Sequence, residues 1–148
     1  MAELKDLHIL IAEDDQDDGE FIQNSFSKHP SFRQIDWVKN GKELLNFLNN
    51  SINKLPDVIL TDLNMPILNG IEALEAIFRN PVYRHVPCFV YSSTINPTYE
   101  LKCKEMGVKS FLIKPFSLID FDAIPTQIVY LLNQEYKRIA SAKTIIKK

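Results

Sequence analysis

Short apolar runs alternate along this chain with longer segments in which apolar residues recur every three or four positions. Four of the runs are almost continuously apolar, which is typical of strands buried on both faces of a sheet. A fifth, residues 32–38, alternates loosely between apolar and polar side chains, and this also favours a strand. The predicted strands are residues 7–12, 32–38, 58–62, 86–91 and 111–113.

The segments between these runs show the spacing of amphipathic helices. The residues predicted to face inward are Phe21, Ile22, Ser25 and Phe26 in the first helix, Leu44, Leu45, Phe47 and Leu48 in the second, Ile71, Leu74, Ile77 and Phe78 in the third, and Ile128, Leu131, Leu132, Tyr136 and Ile139 in the last. The fourth helix is predicted to begin at Pro97 and to end at Gly107. Pro125 either starts the last helix or kinks its first turn, and residues 141–148 either continue that helix or fray.

A helix separates each predicted strand from the next, which is the pattern of right-handed βαβ units. The sequence therefore predicts an α/β fold, a doubly wound five-stranded parallel sheet with helices on both faces. Because the chain has 148 residues and no internal repeat or linker, we expect one domain over residues 1–148. Its core is expected at about residues 7–136, with residues 137–148 as a C-terminal helical extension or tail.

Composition excludes several classes of protein. Hydrophobic residues make up 45% of the chain and charged residues 24%, which are ordinary values for a soluble domain. The net charge of −2 gives no basic surface for direct DNA binding, and no apolar run approaches the roughly 18–20 residues of a membrane span. The charged N-terminus lacks the apolar core of a signal peptide. A disulfide between Cys88 and Cys103 is not expected, so we predict a cytoplasmic protein.

Chemically active side chains follow four of the five predicted strands. Glu13 and Asp14 come directly after the first strand, Asp62 ends the third, Ser92 closes the fourth and Lys114 follows the fifth. Any one of these acids, taken alone, is more simply explained as a loop residue or helix cap. However, the carboxyl ends of parallel strands meet at one edge of the sheet, where open α/β sheets bind their ligands. We therefore expect all five side chains to lie together.

This combination indicates a particular chemistry. Three neighbouring carboxylates repel one another, and their pKa values rise unless a cation neutralises them. Mg²⁺ suits such a site because it takes one or more carboxylates and keeps positions for water and phosphate oxygens. The Lys114 ammonium can pair with a carboxylate or a phosphoryl group, and the Ser92 hydroxyl can donate to a newly arrived oxyanion. Together these groups predict a metal-assisted carboxylate nucleophile that takes up a phosphoryl group.

Four motifs, in this order along the chain, resemble the response-regulator receiver domain of the CheY type over about residues 7–136. They are Ile9-Leu10-Ile11-Ala12-Glu13-Asp14, Leu60-Thr61-Asp62-Leu63-Asn64-Met65-Pro66 with Gly70, Val90-Tyr91-Ser92-Ser93, and Phe111-Leu112-Ile113-Lys114-Pro115-Phe116. The resemblance implies a flavodoxin-like sheet with strand order 2-1-3-4-5 and a role in two-component signal transduction. It also implies a Mg²⁺ site formed by Glu13, Asp14, Asp62 and the main-chain carbonyl of Asn64.

The resemblance further implies a mechanism. Asp62 is the phosphoacceptor and Lys114 contacts the phosphoryl group, which comes from a sensor histidine kinase or a phosphotransfer protein. Ser92 takes the switch position and Phe111 that of the rotating aromatic residue, so that the face of the fourth helix, fifth strand and fifth helix changes shape. An unidentified downstream protein reads that face. We expect a stand-alone regulator, monomeric or homodimeric, that catalyses only its own phosphorylation and dephosphorylation. Residues 80–87 and the double serine resemble the subgroup that works with phytochrome-type sensors.

Several alternatives stay open on the sequence alone. The acid pair can slip by one residue to Asp14 and Asp15, and Glu13 can reach the metal through water. A receiver-shaped interaction module that is never phosphorylated is a second hypothesis, although a purely structural protein has no need of the intact acid, hydroxyl and lysine set. A Mg²⁺-dependent phosphatase is a third, but its second acid is replaced here by Asn64. An EF-hand loop is rejected because the central Gly and terminal Glu are absent.

Overall fold

The computed structural model describes residues 4–50, 52–94 and 96–147, with the side chains of the last helix through residue 142. Strands and helices alternate along the chain. They are β1 (Leu7–Ala12), α1 (Gln16–Lys28), β2 (Phe32–Val38), α2 (Gly41–Asn49), β3 (Val58–Asp62), α3 (Gly70–Arg79), β4 (Cys88–Ser92), α4 (Pro97–Met106), β5 (Ser110–Ile113), α5 (Leu118–Phe121) and α6 (Ala123–Lys147).

The five strands form one parallel sheet in the order β2-β1-β3-β4-β5. The predicted fold class and strand order are therefore confirmed. β1, β3 and β4 are buried along their whole length because they lie between neighbours and under helices on both faces. β2 is an edge strand with only Phe32 buried, which explains the loose alternation of its sequence.

Alternation along the central strands divides the core into two layers. Residues such as Ile9, Ile11 and Leu60 pack against α1 and α6, while Leu10, Ile59 and their neighbours pack against α2, α3 and α4. Burial of each such side chain contributes roughly 1.5–3 kcal/mol. Packing on both faces fixes the positions of the strand ends, and the loops at the carboxyl edge of the sheet start from these fixed points.

Capping residues mark where four of the helices begin and where α4 ends. Asp15, Asn40, Asn69 and Asn96 each accept a hydrogen bond from a main-chain N–H of the following first turn, and Asn69 forms a capping box with Glu72. The predicted start of α4 at Pro97 is confirmed. The predicted end at Gly107 is also confirmed, since this glycine caps α4 with a φ of 112°.

The structure departs from the predicted elements in three places. β4 begins at Cys88 rather than at residue 86, because Pro87 has no N–H to donate to a neighbouring strand. The short helix α5 was not predicted. Pro125 is the third residue of α6 and thus lies in its first turn. The buried stripe of α6 ends at Leu132, and the predicted inward residues Tyr136 and Ile139 are 51% and 42% exposed.

Cys88 and Cys103 are both buried and both free. Burial raises the pKa of the Cys88 thiol to about 12, which leaves it an inert core residue. Among the helices described, none combines the length and apolarity that a bilayer crossing requires.

Candidate functional site

The ends of β1, β3, β4 and β5 bring the five predicted side chains to one edge of the sheet. Glu13 follows β1, Asp62 is the last residue of β3, Ser92 the last of β4, and Lys114 follows β5. These four side chains are buried, whereas Asp14 is exposed. One carboxylate oxygen from each of Glu13, Asp14 and Asp62 lies within 4.8 Å of the other two. The edge therefore presents a compact group of three acids.

Lys114 is the positive centre of this group. Its Nζ lies 2.7 Å from Oε1 of Glu13, 2.9 Å from Oδ2 of Asp62 and 3.1 Å from Oδ2 of Asp18. Burial alone lowers the pKa of the Lys114 ammonium, but the hydrogen bonds to Glu13 and Asp62 outweigh burial and raise that pKa above its ordinary value. Lys114 is therefore a permanent cation throughout the physiological pH range.

Glu13 is fully buried, and both of its carboxylate oxygens accept hydrogen bonds. Oε1 accepts from the Tyr91 hydroxyl at 2.6 Å as well as from Lys114, and Oε2 accepts from the main-chain N–H of Asp15 at 3.2 Å. Burial raises the pKa of the Glu13 carboxyl to about 7, although the donors Lys114 and Tyr91 oppose the rise. Repulsion from Asp62, which the sequence suggested as the main cause of a raised pKa, is a smaller contribution here.

Asp14 and Asp15, the two candidates for the second acid, lie in different places. The Asp15 carboxylate faces the first turn of α1, where its Oδ1 accepts the main-chain N–H of Asp18 at 2.9 Å as the N-cap. Asp14 instead joins Glu13 and Asp62 in the group of three acids. The geometry thus favours the Glu13–Asp14 register over the one-residue slip.

Main-chain N–H groups of the loop after β3 fix Asp62 and the start of α3. The main-chain N–H of Asn64 donates to Oδ1 of Asp62 at 3.3 Å, and the N–H of Gly70 donates to the carbonyl of Leu63 at 2.9 Å. A Cβ at Gly70 would lie 2.2 Å from the carbonyl oxygen of Asp62, so only glycine lets α3 start this close to the strand end. Ile67 in the same loop has a φ of 69°, a strained value for a β-branched residue.

Ser92 and Phe111, the predicted switch residues, lie on adjacent strands. Ser92 is buried, and its Oγ accepts the main-chain N–H of Thr94 at 3.4 Å. The Phe111 ring is half-buried against the core layer under α2, α3 and α4. It borders a cavity of about 150 Å³ that Cys103 and Val108 also line.

Two residues of the site were not predicted as functional. Asp18 forms an ion pair with Lys114, and the Tyr91 hydroxyl donates to Glu13. The Lys114 ammonium also lies 4.9 Å from the centre of the Tyr91 ring. A sequence signal existed for Asp18, because it belongs to the acidic segment of residues 13–18 that directly follows the first strand. Tyr91 gave none, because a tyrosine in a buried strand is read as core. Burial raises the Tyr91 pKa well above its usual value, so its hydroxyl keeps its proton and donates.

Trp37 closes the site on the β2 side. Its indole Nε1–H donates to the main-chain carbonyl of Glu13 at 2.8 Å, and its ring lies so close to Gly19 that a Cβ there would be 1.9 Å from it. The prediction that Trp37 packs with the core is correct, since it contacts the α1 layer. As the sole tryptophan of the chain, it also provides a spectroscopic probe beside the acidic group.

Comparison with known proteins identifies the class of the molecule. The family model described as response regulator receiver domain matches residues 9–124, which is most of the chain. The chain therefore belongs to the response-regulator receiver family of two-component signalling proteins.

Its relatives include a regulatory protein and a larger enzyme. The probable methanogenesis regulatory protein FilR2 of Methanothrix harundinacea is 30% identical over 115 residues, covering 76% of this chain and 74% of that protein. The protein-glutamate methylesterase/protein-glutamine glutaminase of Geobacillus kaustophilus is 31% identical over 122 residues, covering 80% of this chain. This chain spans only about a third of the length of that methylesterase, at 33%.

Two solved structures extend the comparison. The phosphorylated cyanobacterial phytochrome response regulator RcpA aligns with a TM-score of 0.77 and 26% identity, over 86% of this chain and 91% of its own. The Mn²⁺-bound form of response regulator Rcp1 aligns with a TM-score of 0.75 and 25% identity, over 82% of this chain and 91% of its own. The acidic edge of this chain is thus of the kind that suits a divalent cation.

Proposed function

We propose that this receiver accepts a phosphoryl group on Asp62 from a phosphohistidine of a sensor histidine kinase or a phosphotransfer protein. The observation that carries the proposal is the position of Asp62, a buried carboxylate within 4.8 Å of two further acids and 2.9 Å from a lysine ammonium. A purely structural role gives no reason to collect three acids around one lysine. A phosphoryl acceptor needs each of them.

Mg²⁺ is the cation that we propose for this site. Asp14, Asp62 and the main-chain carbonyl of Asn64 would hold it, and Glu13 would complete the set, directly or through water. The chemistry of the donors fits, because all are oxygens and a small divalent cation prefers carboxylate and carbonyl ligands. When bound, the cation neutralises charge between the Asp62 carboxylate and the oxygens of an incoming phosphoryl group.

The transfer itself needs little from the protein beyond position and charge. An Oδ atom of Asp62 attacks phosphorus, the bond from phosphorus to the donor's imidazole nitrogen breaks, and that electron pair stays on the nitrogen. Lys114 exchanges one carboxylate partner for a phosphoryl oxygen and remains charged, because its pKa is raised. Water later attacks phosphorus, the bond from phosphorus to the Asp62 oxygen breaks, and inorganic phosphate leaves as the Asp62 carboxylate is restored. We therefore propose no separate enzymatic turnover.

We further propose that Ser92 and Phe111 convert the new charge into a change of shape. The Ser92 hydroxyl donates to a phosphoryl oxygen, and the Phe111 ring moves into the space that this leaves. The responsive surface is formed by α4, β5 and α6, where α6 is the fifth helix that the sequence predicts. An unidentified downstream protein would read this surface, without direct contact to DNA.

We propose that residues 1–148 act as one cytoplasmic receiver domain, monomeric or homodimeric, with residues 137–148 as a helical extension. The phytochrome-associated subgroup is the proposed context, supported by the similarity to RcpA, a phytochrome response regulator.

Intact-mass spectrometry tests the proposed function. Incubation with MgCl₂ and the small donor phosphoramidate is expected to add one phosphoryl group to the wild type and none to Asp62→Asn. Asp17→Asn, which alters an exposed acid on the adjacent helix, serves as a matched control and should still be modified. An unmodified wild type that also shows no Mg²⁺ affinity would support the alternative of a receiver-shaped interaction module instead.

A further inference from the structure

Tyr91 places a buried hydroxyl at the centre of the acidic edge. Its side chain is 0% exposed, and its ring packs within the core layer that α1 and α6 cover. The hydroxyl donates to Oε1 of Glu13 at 2.6 Å, a bond that joins the end of β4 to the end of β1 across the intervening strand. Ring packing requires no hydroxyl here, since phenylalanine would fill the same core space.

The effect of this bond depends on what else Glu13 contacts. Oε1 of Glu13 is shared by the Tyr91 hydroxyl and the Lys114 ammonium, while Oε2 accepts the main-chain N–H of Asp15. Donors therefore reach the carboxylate from three separate segments, and together they fix its orientation. Of the three, only Tyr91 belongs neither to the acidic loop nor to the lysine that a phosphoryl group would engage.

We propose that Tyr91 is a positioning residue for the divalent-cation site, acting through Glu13. By holding Oε1 beside Lys114, it keeps the Glu13 carboxylate in one orientation toward Asp14 and Asp62 when Lys114 turns to another partner. The inference rests on the proposed cation site and deepens it. Hydrogen-bond partners of metal-site carboxylates commonly change metal affinity by about 10–100-fold when they are removed.

Tyr91→Phe isolates the hydroxyl, because it keeps the ring that packs in the core and faces Lys114 at 4.9 Å. Oε1 of Glu13 retains Lys114 as a donor in this variant, so no buried acceptor is left without a partner. We therefore expect the variant to fold. A matched control is Tyr83→Phe, which removes a hydroxyl in the turn after α3 that is bonded to Oδ1 of Asn49, the last residue of α2, at 2.5 Å.

The test is a titration of each purified protein with MgCl₂, followed by calorimetry and by the emission of Trp37, whose indole is bonded to the Glu13 carbonyl. Tyr91→Phe is expected to weaken Mg²⁺ binding by about tenfold, and Tyr83→Phe to leave it unchanged. Thermal unfolding without the cation checks that both variants are folded. Since the readout is cation binding, it does not depend on phosphorylation.

A double-mutant cycle with Glu13→Gln then separates positioning from a general structural effect. If Tyr91 acts through the Glu13 carboxylate, adding Tyr91→Phe to Glu13→Gln should change Mg²⁺ affinity less than twofold. A full tenfold loss in that background would overturn the inference, as would equal affinities of wild type and Tyr91→Phe. A wild type that binds no Mg²⁺ would instead overturn the proposed function, so the two failures are distinguishable.

Discussion

The raised pKa of Glu13 predicts that the cation-free protein loses stability as pH rises. The pKa of this carboxyl is about 7 in the folded chain and near its ordinary value of 4.5 when unfolded. The folded state therefore binds more protons than the unfolded state between these two values, and the free energy of unfolding falls as pH increases through that window. Replacing Glu13 by Gln removes the titrating group while keeping its size.

The magnitude follows from the size of the shift. Each pKa unit corresponds to about 1.4 kcal/mol, so a shift from 4.5 to about 7 sets an upper value of roughly 3 kcal/mol. Because titration is gradual, about 2 kcal/mol of this should be lost between about pH 5 and pH 7. Lys114 does not contribute to the slope, since its raised pKa keeps it charged over the whole range.

Urea unfolding monitored by Trp37 fluorescence, in buffers that contain a chelator, measures the effect. Histidines ordinarily titrate in the same range, so the quantity to compare is the difference between wild type and Glu13→Gln at each pH. From pH 5 to pH 7, the free energy of unfolding of the wild type should fall by about 2 kcal/mol more than that of Glu13→Gln. Parallel profiles for the two proteins would refute the reasoning, because they would mean that Glu13 is already ionised at pH 5.

Three further substitutions test other parts of the account. Lys114→Met leaves the buried Glu13 and Asp62 carboxylates without a cationic partner, so urea unfolding should show a loss of about 3–5 kcal/mol in the free energy of unfolding without Mg²⁺; a loss below 1 kcal/mol would contradict the ion-pair geometry. Ile67→Asn relieves a positive φ at a 76% exposed position and should raise the thermal midpoint, with a stabilisation of about 1 kcal/mol; a lower midpoint would argue against strain. Gly70→Ala forces a Cβ against the Asp62 carbonyl and should reduce both stability and phosphoramidate-dependent labelling, whereas wild-type labelling would show that the loop can adjust.

Much of the fold could be predicted because its central strands are apolar on both faces. β1 and β3 are buried along their whole length, and such runs can hardly be anything else in a chain of alternating elements. The ends of α4 were readable from single residues, since the fixed φ of Pro97 suits a first helical turn and Gly107 adopts the positive φ of the C-terminal cap without strain. Strand order, by contrast, came from the resemblance, because no local pattern specifies which strands pair.

The features that escaped prediction depend on long-range contacts or weak patterns. α5 has four residues, of which only Phe121 is buried, while Leu118 and Ile119 are 58% and 82% exposed. Such a segment shows no helical periodicity. The bond from Tyr91 to Glu13 joins residues 78 positions apart, and only the packed sheet brings them together. The sequence also predicted that the acids of the site lie together. It did not predict that burial, rather than repulsion from Asp62, is the main cause of the raised pKa of Glu13.

The most direct test of the central claim is to locate the phosphoryl group on the chain. After incubation with MgCl₂ and phosphoramidate, reduction with borohydride converts an acyl phosphate to an alcohol, and tandem mass spectrometry then identifies the altered residue. The account predicts reduction at Asp62 alone, with the neighbouring Glu13 and Asp14 unchanged. Reduction at another acid, or at none while Mg²⁺ binds, would contradict it.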